Sequence, residues 1–407
     1  MSFDPKKFFA RLNHGFAKRP NGHAGVNDPQ AFDSGEQADQ DQIQQTQDPT
    51  FSAAWPFSQA FDRWAGGVDA PRHGGQASPP ASAGVGLYPE MLLSDDGAMT
   101  PVQGAPAVGA STNAAKSVAT ATPAPTLVGT AGGLEFDLIW DSSVARAPAA
   151  FMSAVETAAG AYAKMFSNKE IVNVAIGYGE IGGQSLASGA LAESMSYGYL
   201  TNYATVAGDL KKDATSSGYQ ATADASLAAV DPTKGGSFYV ASAEAKALGM
   251  VGGGGSSLDG YVGISSSFNF SYSQSSVAAN QYDAIGAVEH ELSEVMGRVS
   301  SDGSLFGRNI YTPLDLFRYT SAATRDLVAG QGYFSINGGV TNLGTYNNPL
   351  KGGDSGDWTP SLVGDSYGDG YLGHSALLSP TDLVEDATLG YTMTAAAVAA
   401  TRIPGLA

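Results

Sequence analysis

The sequence predicts an α/β (α+β) fold, and three observations predict it. The run Leu134-Glu-Phe-Asp-Leu-Ile-Trp140 alternates apolar and polar residues with the period of a half-buried strand. Ile171 to Gly177 alternates again, after a helical stretch opened by Pro148 and running to about Phe166, so the chain enters this region as β-α-β with the two strands side by side. Gln281 to Arg298 then carries the most regular helical period in the chain.

Upstream of this pattern, from Asn21 to about Thr130, the composition is dominated by Gly, Ala, Pro, Ser, Gln and Asp without a sustained apolar period, which reads as loosely packed or disordered. Two islands interrupt it. One is a basic amphipathic opening with Phe3, Phe8, Phe9, Leu12 and Phe16, and the other is an aromatic patch at Trp55, Phe57, Phe61 and Trp64. Past the second strand, helices are expected near Tyr203 to Lys212 and at Ser242 to Gly249, followed by a flexible Gly252–Gly255 loop. Gly260 to Tyr272 reads as strand-rich and is expected to form the sheet edge on which an extended peptide adds. Turn signals such as Asn337-Gly338 and Asn347-Asn-Pro349 mark a loop-rich C-terminal half. The expected organisation is a low-complexity extension over 1–130, read as propeptide-like or partner-binding, a domain over 131–393 and a C-terminal tail over 394–407.

Composition narrows the chemistry. The 407 residues include 21 Lys and Arg against 39 Asp and Glu, a formal charge of -18, which disfavours binding to nucleic acid through its phosphates. With no Cys, disulfides, thiol nucleophiles and thiolate metal ligands are excluded, so any metal rests on carboxylates and the five His. No run reaches the length of a membrane span, and no apolar stretch after Lys6, Lys7, Arg11, Lys18 and Arg19 reads as a signal peptide. Export by a signal-peptide-independent route, to the medium or the cell surface, is the expected localisation, with the cytosol as the alternative.

The regular helix contains His290-Glu-Leu-Ser-Glu294. At 100° per residue Ile285, Val288, Leu292, Val295 and Met296 form one apolar stripe, and His290 and Glu294 lie together on roughly the opposite side. Gly286 and Gly297 flank that second face and are expected to leave it shallow enough for a ligand to approach. Two donors at i and i+4 on a rigid helix stand at the separation one ion bridges, and Glu291 is placed to reach a water bound to it. This is the geometry of the zincin motif H-E-x-x-H with Glu294 in place of the second His.

With Pro313-Leu-Asp-Leu-Phe-Arg-Tyr319, Gly332-Tyr-Phe-Ser-Ile-Asn-Gly-Gly339 and Gly353-Asp-Ser-Gly-Asp-Trp358, the helix continuing to Met296-Gly-Arg298 resembles a group of bacterial metzincin-like zinc metalloproteases over about Leu134 to Tyr391. The resemblance implies a zincin fold: a twisted mixed sheet, a backing helix, the active-site helix and a loop-rich C-terminal subdomain. It implies Zn²⁺ as cofactor, a protein or peptide as substrate, and Glu291 as general base, with His290 and Glu294 as ligands. The metzincin position for a third ligand, six residues after the second, is Ser300. Leishmanolysin-like relatives supply a distant ligand just before a Trp, and the corresponding residue is Asp357, with Asp315, Asp354 and His374 as rivals.

Other readings stand beside these. Asp315 pairs with Arg318 or caps a turn, and Arg298 and Arg318 are either buried partners of carboxylates or surface residues. The loop Asp365 to Gly370 is either a turn or a structural Ca²⁺ site. The rival functions are a noncatalytic secreted adhesion or surface protein with a degenerate zincin domain, and a calcium-dependent binding module.

Overall fold

The computed structural model describes residues 90–94, 99–101, 122–213, 218–301, 303, 309–351 and 354–403. All fall within the unit Val85–Ala407. Both aromatic islands and most of the segment 1–130 lie outside the described residues.

In chain order the strands are β1 (Glu90–Ser94), β2 (Met99–Pro101), β3 (Thr126–Gly129), β4 (Leu134–Trp140), β5 (Glu170–Tyr178), β6 (Ala192–Asn202), β7 (Ser237–Ala241), β8 (Gly260–Ile264), β9 (Phe270–Ser271), β10 (Tyr282–Asp283), β11 (Ile310–Tyr311), β12 (Arg318–Ser321), β13 (Thr324–Arg325), β14 (Tyr333–Phe334) and β15 (Gly344–Thr345). The helices are α1 (Phe151–Met165), α2 (Tyr203–Asp213), α3 (Gly218–Ser226), α4 (Ser242–Ala247), α5 (Ala284–Val295), α6 (Pro380–Thr388) and α7 (Ala395–Ala400).

The β-α-β opening is present as expected. In β4 the alternate residues Leu134, Phe136, Leu138 and Trp140 are buried, and β5 runs parallel beside it from Leu134 opposite Glu170 to Trp140 opposite Ile176. Between them α1 turns Phe151, Ala154, Val155, Ala158, Ala159 and Tyr162 inward at helical spacing. The main sheet is mixed and runs β11-β7-β6-β8-β5-β4-β3, with β3 antiparallel to β4 and β6 antiparallel to β8.

Three boundaries differ from expectation. The sheet begins upstream of residue 131, because β1, β2 and β3 all pair into it, so a domain boundary at 131 cuts through a hydrogen-bonded ladder. The segment expected as a C-terminal tail contains α7, where the Thr394 side chain caps the helix, Ala397 is buried and the Tyr219 hydroxyl donates to Thr401 O. The forecast of one helix from Gln281 to Arg298 is too long. Tyr282 and Asp283 pair in parallel with Phe270 and Ser271 as extended strand, and Asp283 then caps α5 by accepting from Ile285 N at 3.0 Å.

The sheet also corrects the peptide-edge expectation. The strand β8 lies inside the sheet, with β5 parallel on one side and β6 antiparallel on the other, so its backbone groups are already paired. Its neighbour β6, a strand the sequence pattern did not announce, is held by β7 and β8 along one side and by β1 on the other.

Past α5 the chain forms a small antiparallel sheet, β13-β12-β14-β15, and ends on α6 and α7. The Ser379 and Asp382 side chains close a capping box at the start of α6. This half folds back so that Asp357 and Ser366 meet α5 from the side.

Candidate metal centre

The helix α5 is buried along its whole length, including His290, Glu291 and Glu294. One stripe packs as expected. The opposite face is not open, which corrects the expectation drawn from its glycines. A Cβ on Gly286 would stand 2.5 Å from Ala376 Cβ, and one on Gly297 would stand 2.8 Å from a Glu244 carboxylate oxygen. These glycines admit other parts of the chain rather than a ligand. Gly297 also holds φ at +114°, a value suited to ending a helix at a residue without Cβ.

Three donors converge on this closed face. His290, Glu294 and Asp357 each offer one ligand atom, and those atoms all lie within 4.8 Å of one another. The imidazole Nε2 of His290 is 3.4 Å from Glu294 Oε1 and 3.2 Å from Asp357 Oδ1. Its Nδ1 lies 2.8 Å from the carbonyl of Ser366, so a proton on Nδ1 is donated there and Nε2 is the nitrogen that faces the two carboxylates. The second oxygen of Glu294 accepts from Ser194 Oγ of β6 at 2.7 Å.

Arg298 stands behind the two carboxylates. It is fully buried, with Nη1 at 3.0 Å from Asp357 Oδ1, Nη2 at 3.4 Å from Glu294 Oε1 and Nε donating to Ser293 Oγ at 2.6 Å. Its guanidinium lies over the Tyr367 ring, 4.4 Å from the centroid, and Nη1 also donates to Gly356 O at 2.8 Å. Burial raises the Asp357 carboxyl, but the charges of His290 and Arg298 outweigh it and hold the group below the usual carboxylate range. For His290, burial opposes the charged form and Asp357 more than offsets it, so the imidazole is held well above its ordinary value.

Glu291 is the odd member. It is fully buried, and both carboxyl oxygens lack a hydrogen-bond partner among the described residues. Burial pushes it well above the usual carboxylate range, and the neighbouring Glu294 charge pushes in the same direction. A buried carboxyl in this condition is costly unless something satisfies it. A divalent cation with a water on it would do so. A divalent cation would also bring positive charge to the carboxylates of Glu294 and Asp357, which Arg298 alone compensates from behind. The residues therefore fit a divalent cation, and one imidazole with two carboxylates suits several such ions.

None of the rival ligands belongs to this donor group, although Asp354 stands close enough to Asp357 and Glu294 for burial and their charges to push it well above the usual carboxylate range. Asp315 is spent on a cap, accepting from Thr312 N at 2.8 Å, Ser301 Oγ at 2.9 Å and Ser300 Oγ at 2.6 Å. His374 is exposed, and Asp354 accepts from Gly356 N at 2.7 Å. Arg318 is buried against Asp326 at 3.2 Å and over the Tyr346 ring, not at the surface. In the loop Asp365 to Gly370, Asp365 closes a turn on Tyr367 N at 2.9 Å. Two contributors were missed in the sequence, Ser194 and Ser366. The Ser366 contact runs through a backbone carbonyl, which leaves no signal in residue type.

No family model, curated protein or solved structure matches the chain.

Proposed function

We propose that the chain is a zinc-dependent endopeptidase with a metzincin-like zincin fold, acting on protein or peptide substrates. The observation that carries the reading is the meeting of His290 and Glu294 with Asp357, from a segment about sixty residues on, around the orphaned carboxyl of Glu291. His290, Glu294 and Asp357 would hold the ion. Bound there, Zn²⁺ would supply a Lewis acid and a water of lowered pKa. Glu291 would take the proton of the attacking water as the C–O bond forms and then give it to the amine nitrogen as the C–N bond breaks. Arg298 holds both ligand carboxylates in place, and Ser366 O fixes which nitrogen of His290 faces the ion.

A specific observation favours a second reading. The buried guanidinium of Arg298 and the imidazole of His290 share the oxygens Asp357 Oδ1 and Glu294 Oε1, which makes a closed ion-pair network without a metal. This supports a noncatalytic surface or adhesion protein that keeps the scaffold. Elemental analysis of the purified full chain separates the two. The peptidase reading expects about one zinc per chain, lost in His290→Ala, together with cleavage of a diverse peptide library. A folded protein that takes up no zinc and cleaves nothing supports the scaffold, and calcium alone supports a calcium-dependent binding module.

A further inference from the structure

The backbone of β6 has two edges, and the hydrogen bonds assign them. Tyr197 N donates to Asp259 O at 2.8 Å and Ser265 N donates to Leu191 O at 2.9 Å, so the odd-numbered residues of this strand turn their backbone groups toward β8. On the same edge β8 pairs with Ala192 to Ser196 and β7 with Gly198 to Asn202, end to end. The even-numbered residues Ser194, Ser196 and Gly198 therefore present their N–H and C=O groups to the opposite edge. That edge holds β1, antiparallel, with Met91 opposite Gly198, Leu93 opposite Ser196 and Ser94 opposite Met195. The pairing stops one residue short of Ser194, whose hydroxyl donates to the ligand Glu294.

We propose that β1 is a built-in occupant of a peptide-accepting side of β6, so that an extended peptide pairs with β6 beside the metal centre only by displacing β1. The proposal rests on the peptidase reading for what the peptide is there for. A free strand edge recognises backbone first, so an internal segment and a foreign peptide compete for the same N–H and C=O groups. The internal segment is covalently tethered and holds a high local concentration against any competitor. Its own further partner is short, since β2 pairs with β1 at only three positions, Met91 with Pro101, Leu92 with Thr100 and Leu93 with Met99. A strand joined to the sheet through five pairs to β6 alone opens more readily than one built into the sheet along both sides.

The test uses the full chain and two readouts that need no cleavage. Hydrogen exchange should find the amides of Ser196 and Gly198 protected in the wild type. Met91→Pro with Leu93→Pro removes the two N–H groups aimed at β6, and exchange at Ser196 and Gly198 should then quicken at least about tenfold. A fluorescein-labelled synthetic peptide of residues 88–101 should bind the folded double variant and leave the wild type unbound. Rapid exchange at both amides in the wild type overturns the proposal even if the variant fails to fold. So does a folded variant that ignores the peptide. A variant that binds the peptide while neither protein cleaves anything upholds the occupied edge and sinks the peptidase reading. Wild type and variant cleaving at equal rates, with the peptide bound by neither, does the reverse.

Discussion

Nη1 of Arg298 lies 3.0 Å from Oδ1 of Asp357, and that same oxygen stands 3.2 Å from Nε2 of His290. One carboxylate oxygen thus serves both the imidazole of His290 and the guanidinium behind it. Arg298 makes five contacts of this kind from a fully buried position, to Asp357, Glu294, Gly356, Ser293 and the face of Tyr367, so its removal strands two carboxylates at once.

Replacing it should therefore be severe. Arg298→Met keeps much of the side-chain volume but leaves Glu294 and Asp357 uncompensated, and breaking a buried ion pair from one side costs roughly 3–5 kcal/mol. Urea unfolding of the purified variant should show a loss on that scale. A loss below about 1 kcal/mol would mean that the two carboxylates find other compensation.

Glu291 should behave in the opposite manner. Both its carboxyl oxygens lack a hydrogen-bond partner among the described residues, so Glu291→Gln preserves shape, replaces a carboxyl whose ionised form burial disfavours, and should leave the unfolding midpoint unchanged or raised. Under the peptidase reading, zinc content stays at the wild-type level while kcat falls by about 10²–10⁴, the range general-base catalysis supplies. Undiminished cleavage by this variant would remove Glu291 from the mechanism.

The acids of α6 make stability depend on pH. Burial pushes Glu385 up to about 8, opposed by Arg298 and by the Tyr346 hydroxyl, which donates at 2.5 Å. Burial also pushes Asp386 up to about 7, opposed by the Tyr367 hydroxyl at 2.7 Å. Unfolded, both titrate near about 4, so from there to about 8 the folded state keeps protons the unfolded state has released. Their contribution is fully present below that window and is lost as pH rises through it, by up to about 1.4 kcal/mol per pH unit for each proton. Denaturation of Glu385→Gln across the window should show a shallower decline than wild type. An equally steep decline would assign the effect to other groups.

Gly297 tests how tightly α5 is closed at its C-terminal end. With φ at +114° and a would-be Cβ 2.8 Å from a Glu244 oxygen, Gly297→Ala meets both backbone strain and a clash with a buried side chain. The two together should cost at least about 1–3 kcal/mol in a denaturant titration. Tolerance of alanine would show that Glu244 can move aside.

The local elements were legible in the sequence because their signals are local. Leu134 to Trp140 alternates with period two, α1 repeats its apolar residues at three and four, and His290 and Glu294 share a helix face through their spacing alone. The strand β6 was not legible, since Ala-Glu-Ser-Met-Ser-Tyr-Gly-Tyr-Leu-Thr-Asn mixes small and polar residues and carries no sustained apolar run. Asp357 could be named only through likeness to known motifs, because nothing in its own neighbourhood says that it meets α5. What the tertiary structure alone decided is everything that depends on neighbours distant in sequence. Ser366 supplies a carbonyl to His290, Ser194 a hydroxyl to Glu294, and Arg298 reaches Asp357 across 59 positions. The same holds for β8, whose pattern suits an edge but whose two neighbours put it inside the sheet. Periodicity tells which face of an element is apolar. Only packing decides whether the other face meets solvent, another strand or a buried cation, because desolvation and pairing are properties of the assembled surroundings.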